Sequence, residues 1–154
     1  MNNLKSRRAF IVGLSSTKIT NKERHFLRKY KPWGVILFAR NIKSVDQTKK
    51  LTNDIKKIFK DSKYPILIDE EGGMVTRIRS IIDNSHFPAK YFGDNYKKDK
   101  TKSLLYLRTY IKQISHLLRY MGISINTVPV LDIPRPFTSC LLYTSPSPRD
   151  LVLS

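Results

Sequence analysis

Apolar residues along this chain alternate between two patterns: short unbroken runs, and longer stretches where they recur every three or four positions. A short run bounded by polar or turn residues reads as a buried strand, and the longer recurrence as one face of a helix. Residues 9–14 form the first run and predict strand one. Thr20, Asn21, Lys22 and Glu23 have the spacing of a capping box and open a helix carrying Phe26, Leu27 and Tyr30. Trp33 and Gly34 read as a break, after which the β-branched run 35–39 predicts strand two. Ser44 and Gln47 give a second capping-box spacing, and Val45, Thr48, Leu51, Ile55 and Ile58 mark the apolar stripe of the helix that follows. Residues 66–68 predict strand three. Residues 80–100 read as irregular, with Pro88 and Gly93 as breakers. Leu104, Leu107, Ile111, Ile114 and Leu118 predict a further helix ended by Gly122, and residues 123–130 predict strand four, followed by Asp132 and a turn at Pro134 and Pro136. Strands alternating with helices favour an α/β fold with a parallel sheet. A half barrel and an open doubly wound sheet share this order of elements.

Strand three runs directly into Asp69, Glu70, Glu71, Gly72 and Gly73, with Arg77 eight residues after the first acid. Rigid strands feeding variable loops are where α/β enzymes place polar site residues. Three adjacent carboxylates repel, so they must face different directions or meet cations and donors. A strand-end aspartate can accept charge-assisted hydrogen bonds from sugar hydroxyls. An arginine offers a planar fork for hydroxyl, amide or carboxylate oxygens, and an ion pair with Asp69 or Glu71 is the plainer alternative for Arg77. Two glycines permit positive φ and close backbone approach. Asn41 and Asp132 follow strands two and four on the same predicted face. Asn41 is expected to brace the acidic loop, with a substrate contact as the alternative, and Asp132 either to order its loop or to touch substrate. No phosphate-loop pattern occurs, His25, His86 and His116 have no metal-ligand spacing, and no serine sits in a nucleophile elbow.

The net charge is +17, from 29 basic and 12 acidic residues. Such a balance raises nucleic acid or an anionic membrane as partners. The lysines, however, fall in pairs on helix faces (Lys49 and Lys50, Lys56 and Lys57) and in the loop 96–100, the pattern of a solvated surface. No specific nucleic-acid partner is expected. The apolar run after Arg8 is six residues long, shorter than a signal peptide needs, and no stretch approaches a membrane span. With one cysteine, Cys140, the composition fits the cytoplasm.

Several blocks together resemble bacterial β-N-acetylhexosaminidases of glycoside hydrolase family 3. They are residues 34–41, Gln47, residues 65–73 with Val75 and Arg77, residues 122–126, and Pro129 to Asp132, in the family's order and at similar spacing. The resemblance covers roughly residues 8–136, and it implies the first half of a TIM (β/α)8 barrel, truncated after about the fourth strand. It implies an enzyme that removes terminal non-reducing β-linked N-acetylglucosamine from cell-wall muropeptide fragments, without metal or organic cofactor. By the same resemblance Asp69 and Arg77 contact the small-molecule carbohydrate and Glu71 supports the turn. Glu70 stands where the family often has glutamine, so it is expected to be dispensable. The family's nucleophilic aspartate and acid/base histidine have no counterpart in residues 1–139, so none of these residues is expected to be catalytic and the chain as written is expected to be inactive. Residues 140–154 match the translation of a transposase-type sequencing-library adapter and are expected to be foreign to the domain. A whole barrel takes about 250 residues, so 1–139 alone would leave open strand edges and be marginally stable. A family 3 β-glucosidase-like hydrolase and a basic nucleic-acid-binding α/β module are the alternative readings.

Overall fold

A computed structural model of the chain describes residues 7–129. Asp132, Pro134, Pro136 and the segment 140–154 lie outside these described residues. Four strands are present among them, β1 (Arg8–Gly13), β2 (Pro32–Leu37), β3 (Ile66–Ile68) and β4 (Ile125–Asn126). They pair in parallel and in chain order, β1-β2-β3-β4. A doubly wound sheet reverses its strand order at a switch point, whereas a barrel wall adds each strand beside the last. The sheet is therefore a partial barrel wall, a choice that element order alone left open.

Helices α1 (Asn21–Tyr30), α2 (Val45–Phe59), α3 (Ala89–Lys98) and α4 (Lys100–Tyr120) fill the crossovers. The capping box of α1 forms as its spacing predicts: Glu23 N donates to Thr20 Oγ1 at 3.2 Å and Thr20 N donates to Glu23 Oε2 at 2.8 Å. Glu23 Oε1 also accepts from Ser15 N at 2.8 Å. Burial would raise the Glu23 carboxyl, but the Ser15 and Thr20 amides hold it below its ordinary value. At α2 the expected box is incomplete. Ser44 accepts from Gln47 N, but the Gln47 side chain takes the amide of Lys43 instead of that of Ser44.

Val35 and Leu37 of β2 and Ile66 and Ile68 of β3, all with no exposure, pack with Leu27, Leu51, Ile55 and Leu118 from the helices. Burying one such side chain contributes about 2 kcal/mol. This layer is the core that holds the strand ends in place.

Three expectations about element bounds need correction. Trp33 and Gly34 lie inside β2 rather than before it, since Gly34 is buried and pressed against Leu67 and Pro65. Residues 89–98 form α3, not an irregular stretch. Pro88 is its N-cap, where the missing amide costs nothing, and Gly93 is buried within it. The paired part of β4 is two residues long, Ile125–Asn126, shorter than the run 123–130.

Candidate functional site

Asp69 is the first residue beyond β3 and sits at the C-terminal end of the sheet. Its Oδ2 accepts from Arg77 Nη2 at 3.0 Å, with the two side chains about a quarter exposed (25% and 27%). Its Oδ1 lies 3.4 Å from the Thr127 hydroxyl, just past β4. The Arg77 guanidinium also stands over the Phe38 ring, 5.6 Å from its centroid, and Arg40 covers the same ring at 4.7 Å. Phe38, Asp69 and Thr127 thus come from the C-terminal ends of three neighbouring strands and meet on one face. A quarter-exposed carboxylate and guanidinium side by side can accept from and donate to adjacent hydroxyl groups. Arg77 Nε is buried and makes no hydrogen bond.

The three acids do point different ways. Glu70 is 3% exposed. Its Oε2 accepts from the backbone amides of Arg77 at 2.6 Å and Ile78 at 3.1 Å, and its Oε1 lies 3.4 Å from Asn84 Nδ2. Its own backbone is clamped by a side chain: Glu70 N donates to Asn126 Oδ1 and Asn126 Nδ2 donates to Glu70 O, both at 3.0 Å. Glu70, which the resemblance marked as dispensable, is buried and bonded through both its carboxylate and its backbone. The signal that could have found it is the pleat: directly after a strand, neighbouring side chains point to opposite faces, so one of the acids had to turn inward. Glu71 contributes to the turn through its backbone, donating to Val75 O at 3.0 Å.

Gly72 and Gly73 adopt φ of 79° and 64°. A Cβ on Gly72 would stand 2.5 Å from Phe87 O, and one on Gly73 2.9 Å from Pro88 Cβ. Backbone conformation and close approach therefore both demand glycine here.

Asn41 has a different role from the one expected. It is fully buried; its Oδ1 accepts from Phe38 N at 2.9 Å and its Nδ2 donates to Leu14 O and Ser16 O at 3.0 and 2.9 Å. It ties the ends of β1 and β2 together and does not reach the acidic loop, because the turn Ala39–Asn41 folds it back toward β1. Arg79 pairs with Asp83 at 3.4 Å, away from Asp69.

A cavity of about 650 Å³ lies between α3, α4 and the ends of β3 and β4. Phe87, Phe92, Tyr96, Leu107, Tyr110 and Ile114 supply its apolar lining, and Glu70, Glu71 and Asn126 its polar edge. Neither Asp69 nor Arg77 lines it. Burial pushes the Tyr110 hydroxyl up to about 12, helped by the charge of Glu70. Among the described residues no cluster of His, Cys, Asp and Glu could hold a metal ion, and no helix is long and apolar enough to cross a membrane.

Residues 3–139 match the family model described as the Glycosyl hydrolase family 3 N terminal domain. The chain is 30% identical over 127 residues to a beta-hexosaminidase of Xanthomonas axonopodis pv. citri (strain 306), covering 81% of this chain and 37% of that protein. It therefore spans a little over a third of the length of that relative. Its backbone is similar to native NagZ from Neisseria gonorrhoeae, with TM-score 0.74 and 26% identity over 83% of this chain and 37% of that one. NagZ of the same organism in complex with N-trifluoroacetyl-D-glucosamine matches with TM-score 0.66 and 26% identity, over 83% of this chain and 38% of that one.

Proposed function

The chain belongs to glycoside hydrolase family 3, and from that premise we propose that it carries the sugar-gripping corner of a β-N-acetylhexosaminidase. The whole enzyme removes terminal N-acetylglucosamine from cell-wall muropeptide fragments during peptidoglycan recycling in the cytoplasm. Asp69 and Arg77 bind the hydroxyls and amide of the terminal sugar. The observation carrying this reading is the contact of Asp69 with Arg77 at 3.0 Å on the C-terminal face of the strands, where barrel enzymes hold their substrates. A related protein solved with an N-acylglucosamine ligand supports the same substrate class. The family match ends at residue 139, which supports reading 140–154 as outside the domain.

Asp69 and Arg77 bind but do not cleave. Retaining hydrolysis needs a nucleophile and a separate acid/base, and here the aspartate is already engaged by the arginine that orients it. The 154 residues by themselves bind the sugar and do not turn it over. N-acetylglucosamine titrated into the chain, followed by NMR, is the test. Saturable binding that Asp69→Ala removes, and that glucose reproduces only weakly, is the expected result. Equal binding by wild type and Asp69→Ala sinks the assignment, and hydrolysis of an aryl N-acetylglucosaminide by the purified chain contradicts the proposed division of labour.

A further inference from the structure

We infer that Glu70 is a positioning residue: locked from behind by Asn126, its buried carboxylate sets the backbone of residues 77–78 and so aims the Arg77 guanidinium at Asp69. The functional part of this inference rests on the sugar-binding reading above.

Three observations carry it. First, the Glu70 oxygens face inward and are taken up by the Arg77 amide, the Ile78 amide and Asn84. At 3% exposure, both carboxylate oxygens are engaged by these three donors, although the residue borders the cavity. Second, apart from the Phe38 ring, its centroid 5.6 Å from the guanidinium, the Arg77 side chain has little to fix it. One nitrogen reaches Asp69 and Nε is buried without a partner, so the place of the guanidinium depends on where its backbone is anchored. Glu70 is that anchor. Third, Glu70 is itself fixed. Asn126 lies opposite Ile68 in the β3–β4 register, and its side-chain amide bonds both the N–H and the C=O of Glu70. The amide adds a rung to the β3–β4 ladder where the backbone ladder stops, so the end of β4 determines where residue 70 stands.

The chain of contacts runs from Asn126 to the Glu70 backbone, from the Glu70 carboxylate to the 77–78 amides, and from Arg77 to Asp69. It uses geometry, not proton transfer. A glutamine at position 70 can accept the same two amide hydrogens through its carbonyl oxygen and therefore preserves the relay, whereas alanine leaves the two amides without an acceptor.

The test uses the 154-residue chain labelled with ¹⁵N. The Arg77 Nε–Hε resonance, assigned with Arg77→Lys, reports the guanidinium environment with no sugar present, and N-acetylglucosamine is the ligand probe. In Glu70→Ala this resonance is expected to move to the position of a solvated arginine and the dissociation constant to rise by about tenfold, the scale of one well-placed hydrogen bond. Glu70→Gln restores both toward wild type, and Asn126→Ala shifts both in the direction of Glu70→Ala by a smaller amount. An unmoved Arg77 resonance in both Glu70→Ala and Asn126→Ala overturns the inference. Should Glu70→Ala lose its circular dichroism spectrum, Asn126→Ala decides by itself, and an unmoved resonance there overturns it equally. Wild type that binds no N-acetylglucosamine, with a resonance that still moves in Glu70→Ala, defeats the sugar reading and leaves the positioning role standing. Sugar binding lost in Asp69→Ala but untouched in Glu70→Ala defeats the positioning role alone.

Discussion

Two strand-end loops in this molecule are organised by one buried polar side chain each, and they use opposite chemistry. Behind β2, Asn41 gathers the carbonyls of Leu14 and Ser16 with its amide hydrogens and the Phe38 amide with its oxygen. Behind β3, Glu70 gathers only donors, from Arg77, Ile78 and Asn84. The Asn41 hub needs both polarities and so closes on itself, bracing scaffold to scaffold. The Glu70 hub needs acceptors only, and one of the residues that it holds carries a guanidinium outward to Asp69. The same device of a buried polar hub therefore serves rigidity in one loop and aim in the other. The difference follows from whether the captured backbone belongs to a residue with a polar side chain directed at the site.

Exchanging the hub chemistry is the sharpest way to break this comparison. Asn41→Asp replaces two donated hydrogen bonds by a carboxylate facing the Leu14 and Ser16 carbonyls. It is expected to cost about 4 kcal/mol in urea unfolding, as a buried group loses its partners and a charge is left uncompensated. A loss under about 1 kcal/mol would mean that Asn41 is not a hub. Gly72→Ala comes next. Positive φ and the 2.5 Å approach to Phe87 O should cost about 2 kcal/mol and disorder the acidic loop, read as lost hydrogen-exchange protection at residues 71–75 with the β1–β2 region unchanged.

A control outside both hubs is Thr20→Ala, which removes an N-cap and should lower stability by about 1 kcal/mol. Its pH dependence follows from Glu23, whose carboxyl is held below its ordinary value. The stability that this contributes is fully present above the unfolded carboxylate pKa of about 4.3 and is lost as the pH falls through the lowered folded value. Denaturation curves collected from neutral pH down through this range should stay apart for wild type and Thr20→Ala, because the N-cap bond to the Glu23 amide does not titrate. They should narrow only by the share of the Thr20 hydroxyl bond to the Glu23 carboxylate. The smallest expected effect is that of Glu70→Gln, under about 1 kcal/mol, because the amide keeps an acceptor for the 77 and 78 amides. A loss as large as that of Asn41→Asp would erase the distinction between the two hubs.

Much of the fold was legible in the residue pattern because its signals are local. The Thr20 capping box spans four residues, the α2 stripe repeats within one helix, and β3 fills the run 66–68 as read. The acidic turn and its two positive-φ glycines were also visible, since strand end, charge and glycine sit side by side in sequence. The α3 helix is not legible in the pattern, because Pro88 and Gly93 read locally as breakers. Proline is harmless at a helix start, and burial against a neighbour outweighs the modest cost of one glycine.

The sequence by itself determined which segments become strand or helix and where the carboxylates cluster, for these depend on spacings of a few residues. Periodicity left the sheet order open; the family resemblance implied a barrel wall, and the strands do lie in chain order. Tertiary structure decided that Asn41 turns toward β1 and that Glu70 faces inward. The Asn41 tie to Leu14 spans 27 positions, and the Asn126 clamp on the Glu70 backbone spans 56. Periodicity describes one element at a time and carries no term for which distant amide a buried oxygen will meet.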